Sequence, residues 1–177
     1  MRIIAGSLKG RRLEAPPEGD LRVRPTSDRA REALFSILQR WPQGAFLDLF
    51  SGTGATAAEA WSRGYAPVTA VEQGEPGWSC LQRNLRGTAV EALRKNALKL
   101  PEEAFRDLAV IFADPPYEAS AAAFAALAAP LRRWIREDGV LVWESESSLD
   151  LPQVPGWRLE AARDYGRVRF HLLVPQA

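Results

Sequence analysis

One cysteine, one histidine and one methionine among 177 residues leave little material for several kinds of chemistry. A single Cys excludes a disulfide framework, and with one His beside it a Cys/His zinc site has too few ligands. No metal is expected, the compartment reads as reducing, and Cys80 reads as an inert helix thiol. Long apolar runs are missing too. Ala119 to Leu131, the longest uncharged and largely apolar stretch, spans 13 residues and contains Pro130, short of the about 20 that a membrane span requires. The start, Met1-Arg2-Ile3-Ile4-Ala5-Gly6, lacks an apolar region of signal-peptide type. Net charge is only +1. Together these absences predict a cytoplasmic protein with no membrane partner.

What the chain does have is a core: 46% of its residues are hydrophobic and 25% charged, the make-up of one globular domain of ordinary size. Its charge is unevenly placed. Residues 1–40 hold nine Lys/Arg against five Asp/Glu, whereas the remaining 137 hold fourteen against seventeen. A basic arm on a near-neutral body is a common way to meet phosphates.

The residue pattern divides the chain at about residue 44. Before it, Arg2–Ala5 and Leu8–Leu13 flank Gly6-Ser7 and read as a β-hairpin. A Pro-rich stretch, Ala15 to Gly19, then breaks regular structure. After Arg24-Pro25-Thr26-Ser27-Asp28, which can cap a helix, apolar residues recur at Ala30, Ala33, Leu34, Ile37, Leu38 and Trp41 with helical spacing. From Ala45 onward short apolar runs alternate with helical patterns: strands at Ala45–Phe50, Val68–Glu72, weakly Val90–Leu93, Leu108–Ala113 and Gly139–Glu144, with helices near Ala55–Arg63, Trp78–Leu85 and Phe124–Ile135. Pro130 is expected to kink or divide the last helix. Trp157–Asp164 and Val168–Val174 follow with no helix between them, as an antiparallel hairpin. The fold class is therefore α/β: a Rossmann-like, mostly parallel, doubly wound sheet in residues 45–177, ending in an antiparallel hairpin and carrying a basic hairpin-and-helix extension, residues 1–44.

Two motifs carry chemistry. In Asp48-Leu49-Phe50-Ser51-Gly52-Thr53-Gly54 a strand runs into G-x-G and then a helix, which lets backbone approach a ligand where a Cβ would collide. Glu72 ends the next strand, 18 residues after Gly54, where a carboxylate accepts hydrogen bonds from ribose hydroxyls. Asp48 is unwelcome beside a pyrophosphate but suits a cationic amine, so S-adenosylmethionine (SAM) fits better than a nicotinamide dinucleotide. The second motif is Asp114-Pro115-Pro116-Tyr117, directly after the most apolar strand. Two prolines remove two N–H donors and leave carbonyl acceptors beside a carboxylate. Acceptors without donors suit an exocyclic amine, and Tyr117 offers a face for a stacked base.

These residues resemble SAM-dependent methyltransferases acting on base amino nitrogens, whose catalytic motif Asp114 to Tyr117 is similar to. With Met1-Arg2-Ile3-Ile4-Ala5-Gly6, Lys9-Gly10-Arg11 and Arg24 to Phe35, nearly the whole chain resembles the RsmD-type 16S rRNA guanine-N2 methyltransferases. The resemblance implies SAM as cofactor and guanine 966 of 16S rRNA in the bacterial small subunit as substrate, acted on by a monomer. It implies a catalytic set of Asp114, Pro115, Pro116 and Tyr117. Cofactor binding falls to Asp48, Phe50, Ser51, Gly52, Thr53, Gly54, Glu72, Gln73 and Asn96. Gln73 stands where relatives often carry a charge, and Asn96 reads equally as a helix cap. RNA contacts are expected from Lys9, Arg11, Arg12, Arg24, Arg29 and Arg31. His171 reads as structural, and Trp41 is a candidate cover for the nucleoside pocket. Two other readings stay open: an amino-methyltransferase on DNA, and a non-catalytic RNA-binding assembly protein of the same fold.

Overall fold

Alternation along the strands sorts the core into two layers. The computed structural model describes residues 1–16 and 27–176. Its sheet has seven strands: β1 (Phe46–Leu49), β2 (Val68–Val71), β3 (Glu91–Leu93), β4 (Leu108–Ala113), β5 (Ile135–Glu146), β6 (Trp157–Tyr165) and β7 (Val168–Pro175). Their order is β3-β2-β1-β4-β5-β7-β6. β1 to β5 pair in parallel and β5-β7-β6 antiparallel. This is the doubly wound sheet with a terminal hairpin that the residue pattern predicts. Phe46, Val68, Ala70, Val110, Phe112, Val140 and Val142 point to one layer, covered by α1 (Asp28–Leu38), α2 (Ala55–Ser62) and α3 (Gly77–Asn84). Leu47, Leu49, Ile111, Ala113, Leu141 and Trp143 point to the other, covered by α4 (Ser120–Trp134). Strands buried on both faces need no polar alternation, which explains their uninterrupted apolar runs.

The N-terminal segment joins the first layer. Ile3, Leu13, Leu34, Phe35 and Leu38 lie in the same hydrophobic cluster as α2 and the sheet. Ser27 caps α1 by accepting from the Ala30 amide at 3.1 Å. The expected hairpin shrinks, however, to a single antiparallel bridge, Arg2 to Arg12. Gly6-Ser7 does not form its tight turn because α2 captures this stretch: the Ile4 and Ala5 amides donate to the Glu59 carboxylate (2.8 and 3.0 Å), and the Ser7 amide to the Ser62 carbonyl (2.8 Å). Gly6 adopts φ +83°, and a Cβ there would lie 1.8 Å from the Ser62 oxygen. Only glycine permits that approach.

Two further expectations change in detail, those for Pro130 and Trp41. Pro130 sits inside one continuous 15-residue helix; the carbonyl it leaves without a donor belongs to Ala126, which is exposed to water. The link from β3 to β4 holds only a short 3₁₀ turn, Ala97–Lys99. Trp41 lies in the turn leading into the start of β1, packed on the core, so it does not cover the ends of the strands where the motifs lie. No helix among the described residues is long and apolar enough to cross a membrane.

Candidate active site

The two motifs meet at the topological switch point of the sheet. β1 is the strand from which the order runs outward in both directions, to β2 on one side and β4 on the other. Crevices outside the carboxyl ends of such strands are where open α/β sheets hold ligands. Asp48 lies in β1 level with Phe112 of β4. Asp114 follows two residues after Phe112, on the same face.

The glycine turn is built around the Asp48 carboxylate. One oxygen, Oδ2, accepts from the Ser51 hydroxyl at 2.6 Å and from the Ala57 amide of α2 at 3.0 Å. From Asp48 to Ala57 the chain uses left-handed backbone three times, at Phe50 (φ 59°), Gly52 (φ 54°) and Gly54 (φ 76°). At Gly54 a Cβ would lie 3.1 Å from Leu81 Cγ, so this glycine lets α3 pack close. Phe50 bears the left-handed cost of a non-glycine residue, about 1–2 kcal/mol, and packs against the second core layer.

Glu72 leaves β2 and turns toward this loop. Oε2 accepts from the Gly52 amide and Oε1 from the Gly74 amide, both at 2.8 Å. Each carboxylate oxygen has a second lone pair, so Glu72 is held in place and still able to accept from a diol. Thr53 is buried, with its carbonyl accepting from Asn84 Nδ2 at 2.9 Å. Gln73 is exposed beside Glu72. Asn96 accepts from the Leu98 amide at 2.9 Å, which makes it the cap of the 3₁₀ turn and leaves its amide hydrogens for other partners.

The electrostatics follow from burial. Asp48 is raised to about 7, chiefly because burial strips water from its charge; the Ser51 and Ala57 hydrogen bonds oppose this and the Glu72 charge adds to it. Asp114 is raised to about 8, first by burial and then by the charge of Asp48. Two neighbouring carboxyl groups that resist ionisation mark a place prepared for a positive charge. Asp114 itself remains partly accessible, Pro115 is buried, and Pro116 and Tyr117 open a short 3₁₀ turn ahead of α4. Asp48, the glycine loop, Glu72 and the Asp114 motif thus share one crevice.

The basic residues divide. Lys9, Arg12 and Arg29 are exposed or partly so, as is Arg11. Arg24 lies outside the described residues. Arg31 does not fit an RNA-contact role, because it is completely buried. Its guanidinium pairs with Asp28 at 3.0 Å and Glu59 at 3.5 Å and donates to the Arg2 carbonyl. Glu59, which no motif in the sequence singles out, is the hub of this network: fully buried, it also takes Arg63 at 2.7 Å. Its signal was a lone carboxylate among the small residues of α2 with Arg63 four positions on. His171 is buried within 2.9 Å of the Ser145 hydroxyl, at a distance from the crevice motifs in sequence and in packing layer. Among the described residues no group of three or more His, Cys, Asp or Glu is placed to hold a metal.

A protein family described as conserved hypothetical protein 95 matches residues 1–174. Ribosomal RNA small subunit methyltransferase D of Escherichia coli strain K12 is 31% identical over 182 aligned positions, covering 100% of this chain and 91% of that protein. Among solved structures, a hypothetical protein of Thermus thermophilus superposes with a TM-score of 0.82 at 30% identity, covering 97% of this chain and 98% of its own. A candidate methyltransferase of Escherichia coli does so with 0.79 at 28% identity, covering 100% and 98%.

Proposed function

This chain belongs to the conserved hypothetical protein 95 family, that of ribosomal RNA small subunit methyltransferase D, and from that premise we propose that it methylates the exocyclic N2 amine of a guanine in 16S rRNA of the bacterial small subunit, guanine 966, with SAM as donor. The observation that carries this reading is the crevice in which Asp114-Pro115-Pro116-Tyr117 stands beside Asp48. The residues present fit SAM: buried carboxyl groups that favour a cation, a glycine turn open to close approach, and Glu72 with lone pairs to spare for a ribose. Asp48, Phe50 to Gly54, Glu72, Gln73 and Asn96 would hold it. When bound, SAM supplies a methyl group made electrophilic by its sulfonium.

The rest is work for this chain. A guanine amine delocalises its lone pair into the ring, so the site has to hold a geometry that frees it. Asp114 and the Pro115 carbonyl accept the two N2 hydrogens, aim the lone pair at the methyl carbon and stabilise the positive charge that develops on nitrogen. As the N–C bond forms, the methyl group's bond to sulfur breaks and its electron pair stays on sulfur, while N2 sheds one proton, which Asp114 in its ionised form takes. Tyr117 stacks on the base, which must leave its own stack to enter.

The direct test is incubation with methyl-labelled SAM of unmodified small subunits, naked 16S rRNA and DNA, with the product nucleotide mapped by mass spectrometry. Label at the N2 of guanine 966 is the expected outcome. Label on DNA alone, or none on any substrate, would overturn the reading.

The raised carboxyl groups set a pH dependence. A folded pKa above the unfolded value gives stability that is complete below pH about 4 and lost as pH rises through the folded values, here about 7 and about 8. The ligand-free protein should therefore melt at lower temperature at pH 8.5 than at pH 5.5. SAM affinity should move the opposite way, rising by up to roughly tenfold per pH unit below about 7, where binding releases the Asp48 proton. Thermal melts and calorimetry at the two pH values measure both.

RNA affinity is assigned to the extension through Lys9, Arg11, Arg12 and Arg29, with Arg24 as a further contact. Reversing the charge of Arg11 and Arg12 should raise KM for rRNA at least tenfold and flatten the salt dependence of binding by roughly two contacts' worth, while SAM affinity is unchanged. Filter binding over a salt series reads the slope. An equal loss of SAM binding would instead make these residues part of the cofactor crevice.

A further inference from the structure

The strand register singles out one more carboxylate at the crevice. β4 and β5 run side by side with Ala113 level with Trp143, so the next residues, Asp114 and Glu144, are neighbours at the closing ends of the two strands. Val110, Phe112, Val140 and Val142 all enter the first core layer. By the same alternation Asp114 and Glu144 occupy that face, on strands about 4.8 Å apart. Glu144 is only 3% exposed. Carboxylates are kept at such depth where donors meet them.

A second observation points to the shape of what enters. Across the next strand pair Glu144 faces Phe170. The Phe170 ring lies 5.5 Å from Tyr165 and 6.3 Å from Phe112, and Tyr165, level with Val168 on the same face, is partly exposed. Phe112 and Phe170 are buried and back the partly exposed Tyr165, and paired acceptors beside such a ring suit a planar ligand with two adjacent donors on one edge. Guanine presents that edge, with N1–H next to the N2 amine. Adenine has an acceptor at N1.

We propose that Glu144 is a specificity-determining residue that accepts the N1–H of the target guanine while Asp114 holds its N2 amine. The inference rests on the guanine-N2 reading above and adds the group that selects the base. A site built to accept a hydrogen bond discriminates strongly against an analogue lacking the donor, because its own buried group is then left facing a lone pair.

The experiment uses small subunits reconstituted on 16S rRNA that carries either guanosine or 2-aminopurine riboside at the methylated position. The analogue keeps the N2 amine and lacks N1–H. Single-turnover rates should favour guanosine by roughly 10²-fold or more in the wild-type protein. In Glu144→Gln, whose amide can donate to the bare N1, that preference should fall at least tenfold, with SAM affinity within a few-fold of wild type. An undiminished preference at normal SAM affinity overturns the proposal. Should Glu144→Gln fail to fold, Glu144→Asp keeps the charge at shorter reach: its rate should fall on guanosine and hold on 2-aminopurine, whereas an equal fall on both overturns the assignment. Wild-type protein that methylates neither particle overturns the rRNA reading itself, and the proposal with it.

Discussion

Asp114→Ala should lower kcat and kcat/KM together by about 10²–10³, the scale on which one preorganised electrostatic partner acts. Three features set that size. The carboxyl group stands at the end of β4 where Pro115 and Pro116 offer no N–H groups to take its place. On the proposed mechanism its contact with the amine strengthens as charge develops on nitrogen, so the loss falls on the transition state and not on ground-state binding. On the same mechanism it is also the proton acceptor, and alanine has no substitute. SAM affinity should stay within a few-fold, because Asp48 remains tied to Ser51 and Ala57. Asp114→Asn separates the parts: an acceptor oxygen remains, charge and proton affinity do not, and the rate should lie between wild type and alanine. Single-turnover methylation of unmodified small subunits, beside calorimetry for SAM, measures both quantities. Near-normal turnover, or a defect confined to SAM binding, would remove Asp114 from the chemistry.

Glu59→Ala should cost about 3–5 kcal/mol of folding stability, the range for removing one partner of a buried ion pair. Wild-type Glu59 takes two amides of the N-terminal arm and two guanidinium groups while fully shielded from water. Alanine leaves Arg31 buried with Asp28, a partner whose side chain is 42% exposed, and leaves the Ile4 and Ala5 amides without an acceptor. Urea unfolding should show the loss in the midpoint. Hydrogen exchange at Ile4 and Ala5 should accelerate more than at β4, because the arm loosens before the sheet. A change under about 1 kcal/mol would mean that the network contributes no more than surface pairs do.

These two carboxylates also mark what could be read from the chain alone. Asp114 announces itself because local order suffices: an apolar strand, then a polar residue and two prolines. The same holds for the glycine turn, for β4 and for the final β6–β7 pair, whose elements are defined by neighbours in sequence. Arg31 and Glu59 are different. They stand 28 residues apart, on two helices whose packing is settled only by the tertiary fold, so Arg31 looked like one more member of a basic arm. The N-terminal hairpin is shortened for a related reason: Ile3, Gly10 and Leu13 still bond across it, but the Ile4, Ala5 and Ser7 amides find acceptors on α2. Asn96 could be read either way, since capping and ligand contact use the same side chain and its 3₁₀ turn is only three residues long.

α2 also sets a distance. Its first turn closes the glycine loop, through the Ala57 amide on Asp48, and its last turn holds the arm, through Ser62 on Ser7. Eight residues at about 1.5 Å each make a rod of roughly 12 Å. The arm also reaches the glycine loop itself, with Met1 Sδ 3.9 Å from the Thr53 hydroxyl and Asn84 bonded to both Glu14 and Thr53, so it is fastened along the whole length of that rod. If the arm grips RNA as proposed, a backbone held at Arg11 and Arg12 has to offer its extruded base at one set offset, and an RNA whose tertiary architecture puts the base elsewhere is not accommodated by flexing. On that reading, selection of the target becomes a matter of fit: the folded shape of the RNA is compared with a fixed arm, and few nucleotides have to be read by name.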